Sequence, residues 1–157
     1  MAADSIEQAT FFRAALLLGL IRGEHVVAWA DAVIATEASP SEALTDLATT
    51  PPRDLTMLRQ RLLVIGREKE SEGVVRALAG LVHRDLASGR RTLGDTMTVL
   101  KQLRAFVAVG STLNEQIKTL GVDVAIAPPN TPERGAAEER VRAWLALHER
   151  DAVPFLE

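Results

Sequence analysis

The chain has 157 residues, of which 47% are hydrophobic and 25% charged, and its formal net charge is −3. Those values fit one globular domain able to bury a core and argue against disorder, while so mild a charge gives no general attraction for nucleic acid or an anionic membrane. Cys is absent, which excludes disulfides, thiolate metal ligands and Cys nucleophiles, and fits a reducing compartment.

The first predicted helix covers 5–22 and holds the apolar run Ala14–Ile21 between Arg13 and Arg22. That run is well short of the roughly 20 residues a bilayer span needs. Asp4 and Glu7 stand where a secretory signal would be basic. The expectation is a buried first helix in a cytoplasmic protein. A second helix, 24–37, carries Trp29 among Val26, Val33 and Ile34, so this tryptophan reads as core.

Ser39-Pro40-Ser41-Glu42 has the composition of a capping box and opens a helix over 40–49, which Pro51-Pro52 must end. Leu58, Leu62 and Ile65 then mark 53–67, and Val74, Leu78, Leu81 and Val82 mark 71–88. Gly89 and, elsewhere, Gly23 and Gly121 stand where helices should stop. Between the fourth and fifth helices Glu68, Glu70 and Glu72 alternate with Arg67 and Lys69, the pattern of a solvated charged run.

Within 71–88 lies His83-Arg84-Asp85-Leu86, which resembles the opening of the protein-kinase catalytic loop. Such a loop carries Asn five residues after its Asp, but position 90 is Arg. Neither a Gly-rich loop before it nor a DFG after it is present. The helical spacing instead places His83 beside a buried stripe and Arg84 and Asp85 toward solvent.

Leu93, Met97, Leu100, Leu103 and Val107 give a helix over 93–109, with Thr92 and Asp95 as its capping pair. Arg84, Arg90, Arg91, Lys101 and Arg104 gather in this region. The helix spends its apolar face on the core and no aromatic stands among those cations, so nucleic-acid binding is not expected. A shorter helix is placed at 112–120, and 121–131 (GVDVAIAPPNT) reads as irregular or briefly extended. Thr131-Pro132-Glu133 opens the final helix, 132–149, which carries Trp144 beside Val141 and Leu145.

The fold expected is all-α, a single compact bundle of about seven helices, 1–157, with the last helix following a Pro-rich connector at 127–132. No residue pattern recurs at a period of 30 to 50. The histidines His25, His83 and His148 show no i, i+4 pairing, and neither GxxxxGK[ST] nor GxSxG occurs. No catalytic residue, metal ligand or cofactor is therefore assigned.

The stretch LLLGLIRGEHVVAWADAVIA, 16–35, continued by LASGRRTLGDTMTVLKQL, 86–103, resembles small all-helical bacterial proteins of unknown function. These are similar in style to immunity proteins of contact-dependent toxins, which bind and block one enzyme. The resemblance implies a non-catalytic module whose partner is another protein; the alternatives are a homo-oligomeric structural protein, or a small-ligand binder or enzyme whose site is assembled from distant residues. Trp144, Phe155 and Leu156 are the interaction candidates, the last two also suiting self-association.

Overall fold

The computed structural model describes residues 5–66 and 71–156. Every regular element among them is helical. In chain order these are α1 (Ser5–Leu17), α2 (Gly23–Thr36), α3 (Glu42–Ala48), α4 (Leu55–Gly66), α5 (Glu72–Ala87), α6 (Leu93–Leu103), α7 (Thr112–Ile126), α8 (Pro132–Leu147) and α9 (Val153–Leu156). Turns of 3₁₀ helix lie at Arg104–Phe106 and Glu149–Ala152. The all-helical class is the expected one. The number is higher, nine α-helices among the described residues against about seven. Among those residues no helix is long and apolar enough to cross a membrane.

The chain divides into two compact units, Met1–Lys69 and Glu70–Glu157. In the first, α1 packs along α4, and α2 and α4 flank α3. Phe11, Val26, Leu47, Leu58 and Leu62 are fully enclosed there. Trp29 joins α2 to α1: its Nε1–H donates to Gln8 Oε1 at 3.0 Å, and its ring lies 5.1 Å from that of Phe12.

In the second unit α5 is the central helix, with Val75, Ala77, Leu78 and Ala79 fully enclosed. It packs against α8, α6 and the turn Glu149–Ala152, and α7 packs against α8 and α6. Gly80 sits on the seam with that turn. A Cβ there would overlap the His148 carbonyl and lie 3.2 Å from the Ala152 Cβ. The close approach requires glycine.

The two units repeat one pattern of helix ends. α1 and α5 both run into a left-handed glycine, Gly19 (φ 67°) and Gly89 (φ 75°), 70 positions apart. At each, the residue before the glycine donates its N–H to a carbonyl four back, Leu18 to Ala14 and Ser88 to Arg84, both at 3.0 Å. Three residues after the glycine comes the next N-cap, and a side chain of the first turn accepts its N–H. His25 Nδ1 accepts from Arg22 at 3.2 Å, and Asp95 Oδ2 accepts from Thr92 at 3.3 Å. Ser41 and Ser111 then cap α3 and α7, each Oγ accepting the N–H three residues on, at 3.3 and 3.2 Å.

Several buried positions keep the same spacing. Phe11 matches Leu81, Phe12 matches Val82, Ala30 matches Leu100 and Leu47 matches Ile117. Three buried apolar positions of the first unit, Ala15, Val26 and Leu44, are buried polar ones in the second, Asp85, Thr96 and Asn114, while the buried Ala14, Leu18 and Leu20 match the exposed Arg84, Ser88 and Arg90. One helix also differs in length, since α7 has 15 residues where α3 has 7.

Several expected boundaries move. Gly19 stops α1 at Leu17, before 22, and Gly23 opens α2 instead of ending α1. The N-cap of α3 is Ser41, not Ser39. α6 tightens into 3₁₀ geometry at 104–106 instead of running to 109. The largest change is at 121–126, which continues α7 through Gly121. Leu113, Ile117, Leu120 and Val124 form a helical stripe that outweighs the brief alternation of Val122, Val124 and Ile126. Arg134 of α8 secures this end, its Nη1 donating to Val124 O at 2.8 Å and Ala127 O at 3.2 Å. Two carbonyls at the end of a helix, which have no partner within it, are thereby satisfied.

Candidate functional site

The kinase-like tetrapeptide is helical, inside α5. Asp85 points inward, contrary to the solvent-facing position expected from spacing. It is buried, with its carboxylate 3.8 Å from Arg91 Nε and 4.0 Å from Arg90 Nη1. The Asp85 carbonyl also accepts the Arg91 N–H at 3.2 Å. The residue ties the α5–α6 turn to the core. His83 Nε2 lies 3.9 Å from Glu149 Oε2, and Arg84 is exposed.

The other histidines also have local partners. His25 caps α2, and His148 Nδ1 lies 2.8 Å from Asp151 Oδ2. Among the described residues no three His, Asp or Glu side chains gather as a metal site would need. Glu68 and Glu70 lie outside the described residues, and Glu72 pairs with Arg76 at 3.6 Å. The basic cluster is partly drawn inward: Arg91 faces Asp85, and Arg104 Nε–H donates to the buried Asn114 Oδ1 at 3.0 Å, while Arg90 stays 79% exposed. Arg84 and Lys101 are exposed.

Of the interaction candidates, Phe155 is buried within the second unit, and Leu156 beside it is 40% exposed. Trp144 has the more open setting. It is half-buried on α8, with its Nε1–H donating to Gln116 Oε1 of α7 at 3.3 Å. The His148 ring meets it edge-on, with centroids 4.7 Å apart. The indole is thus held from two sides.

Beside it a groove of about 570 Å³ lies along α7 and α8. Thr112, Gln116, Thr119 and Asp123 fall at i, i+4, i+7 and i+11, one face of α7, and Arg140 and Trp144 at i, i+4 on α8. Arg140 Nη2 lies 3.7 Å from Asp123 Oδ2, closing one end with an ion pair. Glu115 lines the wall, and its carboxylate makes no hydrogen bond or ion pair among the described residues. Thr119, Leu120 and Asp123 belong to the turns of α7 that have no counterpart in α3. Part of the groove therefore stands on an addition to the pattern the two units share.

Trp144 was legible in the sequence as a candidate. Gln116, Glu115, Asp123 and Arg140 were not. The signal that could have found them is the polar stripe at 112, 116, 119 and 123, which becomes visible only once 121–126 is read as helix. Compared with protein-family models, curated proteins and solved structures, the chain matches none.

Proposed function

We propose that this chain is a non-catalytic protein-binding module, an inhibitor of the immunity-protein kind working in the cytoplasm, and that it grips its partner in the α7–α8 groove. One observation carries the reading: a half-buried indole, oriented by Gln116 and backed by His148, opens on a groove between two helices. Trp is over-represented among the few residues that dominate binding energy. A side chain already held in one geometry loses less conformational entropy when a partner arrives. The groove's volume also falls within the range of small-ligand pockets. Its exposure favours a macromolecule, because the Arg140 side chain at its end is 54% exposed. The test is affinity capture from native-host lysate with the full chain as bait, read by mass spectrometry. The reading expects one stoichiometric protein, and capture of none counts against it.

A further inference from the structure

Resting on that reading, we infer that the partner element entering the α7–α8 groove presents a cationic side chain, an arginine above all, to Trp144 and Glu115. The charges of the groove carry the argument. Its wall holds two carboxylates, Glu115 and Asp123, and one guanidinium, Arg140. Arg140 lies 3.7 Å from Asp123, so that pair is answered internally. Glu115 has no such answer among the described residues, and the groove carries one uncompensated negative charge.

Glu115 stands one residue before Gln116, the group that orients the Trp144 indole. A π-face and an open carboxylate thus share one groove, two features that attract the same ligand chemistry. A guanidinium stacks on an indole through the ring quadrupole and makes paired hydrogen bonds to a carboxylate. An anionic group would meet Glu115, and a neutral apolar group would bury it without a partner. Thr112 and Thr119 add hydroxyls along the same wall.

The source of the cation is a protein segment instead of a free small amine. Exposed apolar residues neighbour the lining residues in the chain: Val109, 97% exposed, precedes Gly110, and Val122, 46% exposed, precedes Asp123. One amine cannot cover them, whereas an extended or helical segment with apolar flanks can.

The experiment pans a displayed random-peptide library on the full-length protein and keeps peptides whose binding is lost on Trp144→Ala. Capped, dye-labelled versions, with each basic residue also replaced by Gln or Glu, are titrated with the full-length protein and its variants and read by fluorescence anisotropy of the dye. The expected result is selection of Arg-bearing peptides. Glu115→Gln should weaken them roughly two- to fivefold, as loss of one exposed ion pair does. Trp144→Phe, which keeps a weaker π-face, should retain more affinity than Trp144→Ala. Selection of acidic or uncharged peptides that still need Trp144 overturns this inference and leaves the groove as the binding surface. Indifference of the selected peptides to Glu115→Gln also overturns it. If no selected peptide depends on Trp144, both this inference and the reading beneath it fail.

Discussion

Asp85 and Arg91 occupy the positions that in the first unit hold Ala15 and Ile21, which gives a direct way to ask whether the two units share one plan. The Asp85 side chain is 13% exposed and that of Arg91 18%, with 3.8 Å between carboxylate and Nε. Removing one partner of a buried pair costs about 3–5 kcal/mol, because it leaves a desolvated charge behind. Here the separation exceeds hydrogen-bond reach and some solvent remains, so Asp85→Ala and Arg91→Ile should each cost about 2 kcal/mol. The double variant restores the apolar pair of the first unit and removes both desolvation penalties. It should lie within about 1 kcal/mol of wild type, since apolar replacement of buried pairs is often neutral or better. Urea denaturation in a Trp29→Phe background, read by Trp144 fluorescence, reports the second unit. Additive losses of about 4 kcal/mol in the double variant would refute the reasoning, because independent sites add.

Three other substitutions test the packing and closure of the helices. Gly80→Ala sets a helix-propensity gain of about 1 kcal/mol against overpacking of up to about 3 kcal/mol. The obstacle is the backbone at His148, which no rotamer relieves, so a net loss of about 2 kcal/mol is expected by denaturation. Gly135→Ala in α8 meets nothing within 4 Å and should instead stabilise by about 0.5–1 kcal/mol. Arg134→Gln removes the two guanidinium bonds that close α7 and should cost about 1 kcal/mol, discounted because its side chain is 31% exposed. Amide exchange in the last turn of α7 should quicken while that of α5 stays slow; unchanged exchange at 123–126 would remove Arg134 from this role.

Local chemistry made much of the helical organisation legible. Thr92 with Asp95 and Thr131 with Pro132 open helices as their residue types demand, and Gly89 closes α5 in the left-handed region. Two of the misses arise where a contact from outside the stretch overrode its local pattern. Gly121 and the alternating valines of 121–126 suggested a break. The carbonyls there are instead held by Arg134 from another helix, a bond between residues 10 apart at Val124. Helical spacing set Asp85 toward solvent, yet it is buried where the following turn brings Arg91 back to within 3.8 Å of it.

The correspondence between the units was hidden for a related reason. Burial and capping fix what kind of residue a position needs and leave its identity open. At a spacing of 70, His25 and Asp95 perform one capping task with different side chains. Few identities survive, Gly19 with Gly89 and Ser41 with Ser111 among them, and these are positions where backbone geometry narrows the choice. The stretches 16–35 and 86–103 are the same inter-helix turn in the two units, 70 positions apart. The groove was less legible than the fold because it joins residues of α7 and α8 whose pairing no local pattern records.

The most direct measurement is quantitative affinity capture from native-host lysate with three full-length baits: wild type, Trp144→Ala, and Leu156→Ala as a variant outside the groove. The account predicts one protein at near-stoichiometric yield on wild type and on Leu156→Ala, reduced at least tenfold on Trp144→Ala, as loss of a hot spot of about 2 kcal/mol requires. Equal recovery on Trp144→Ala, or loss on Leu156→Ala alone, would contradict it and move the binding surface away from the groove.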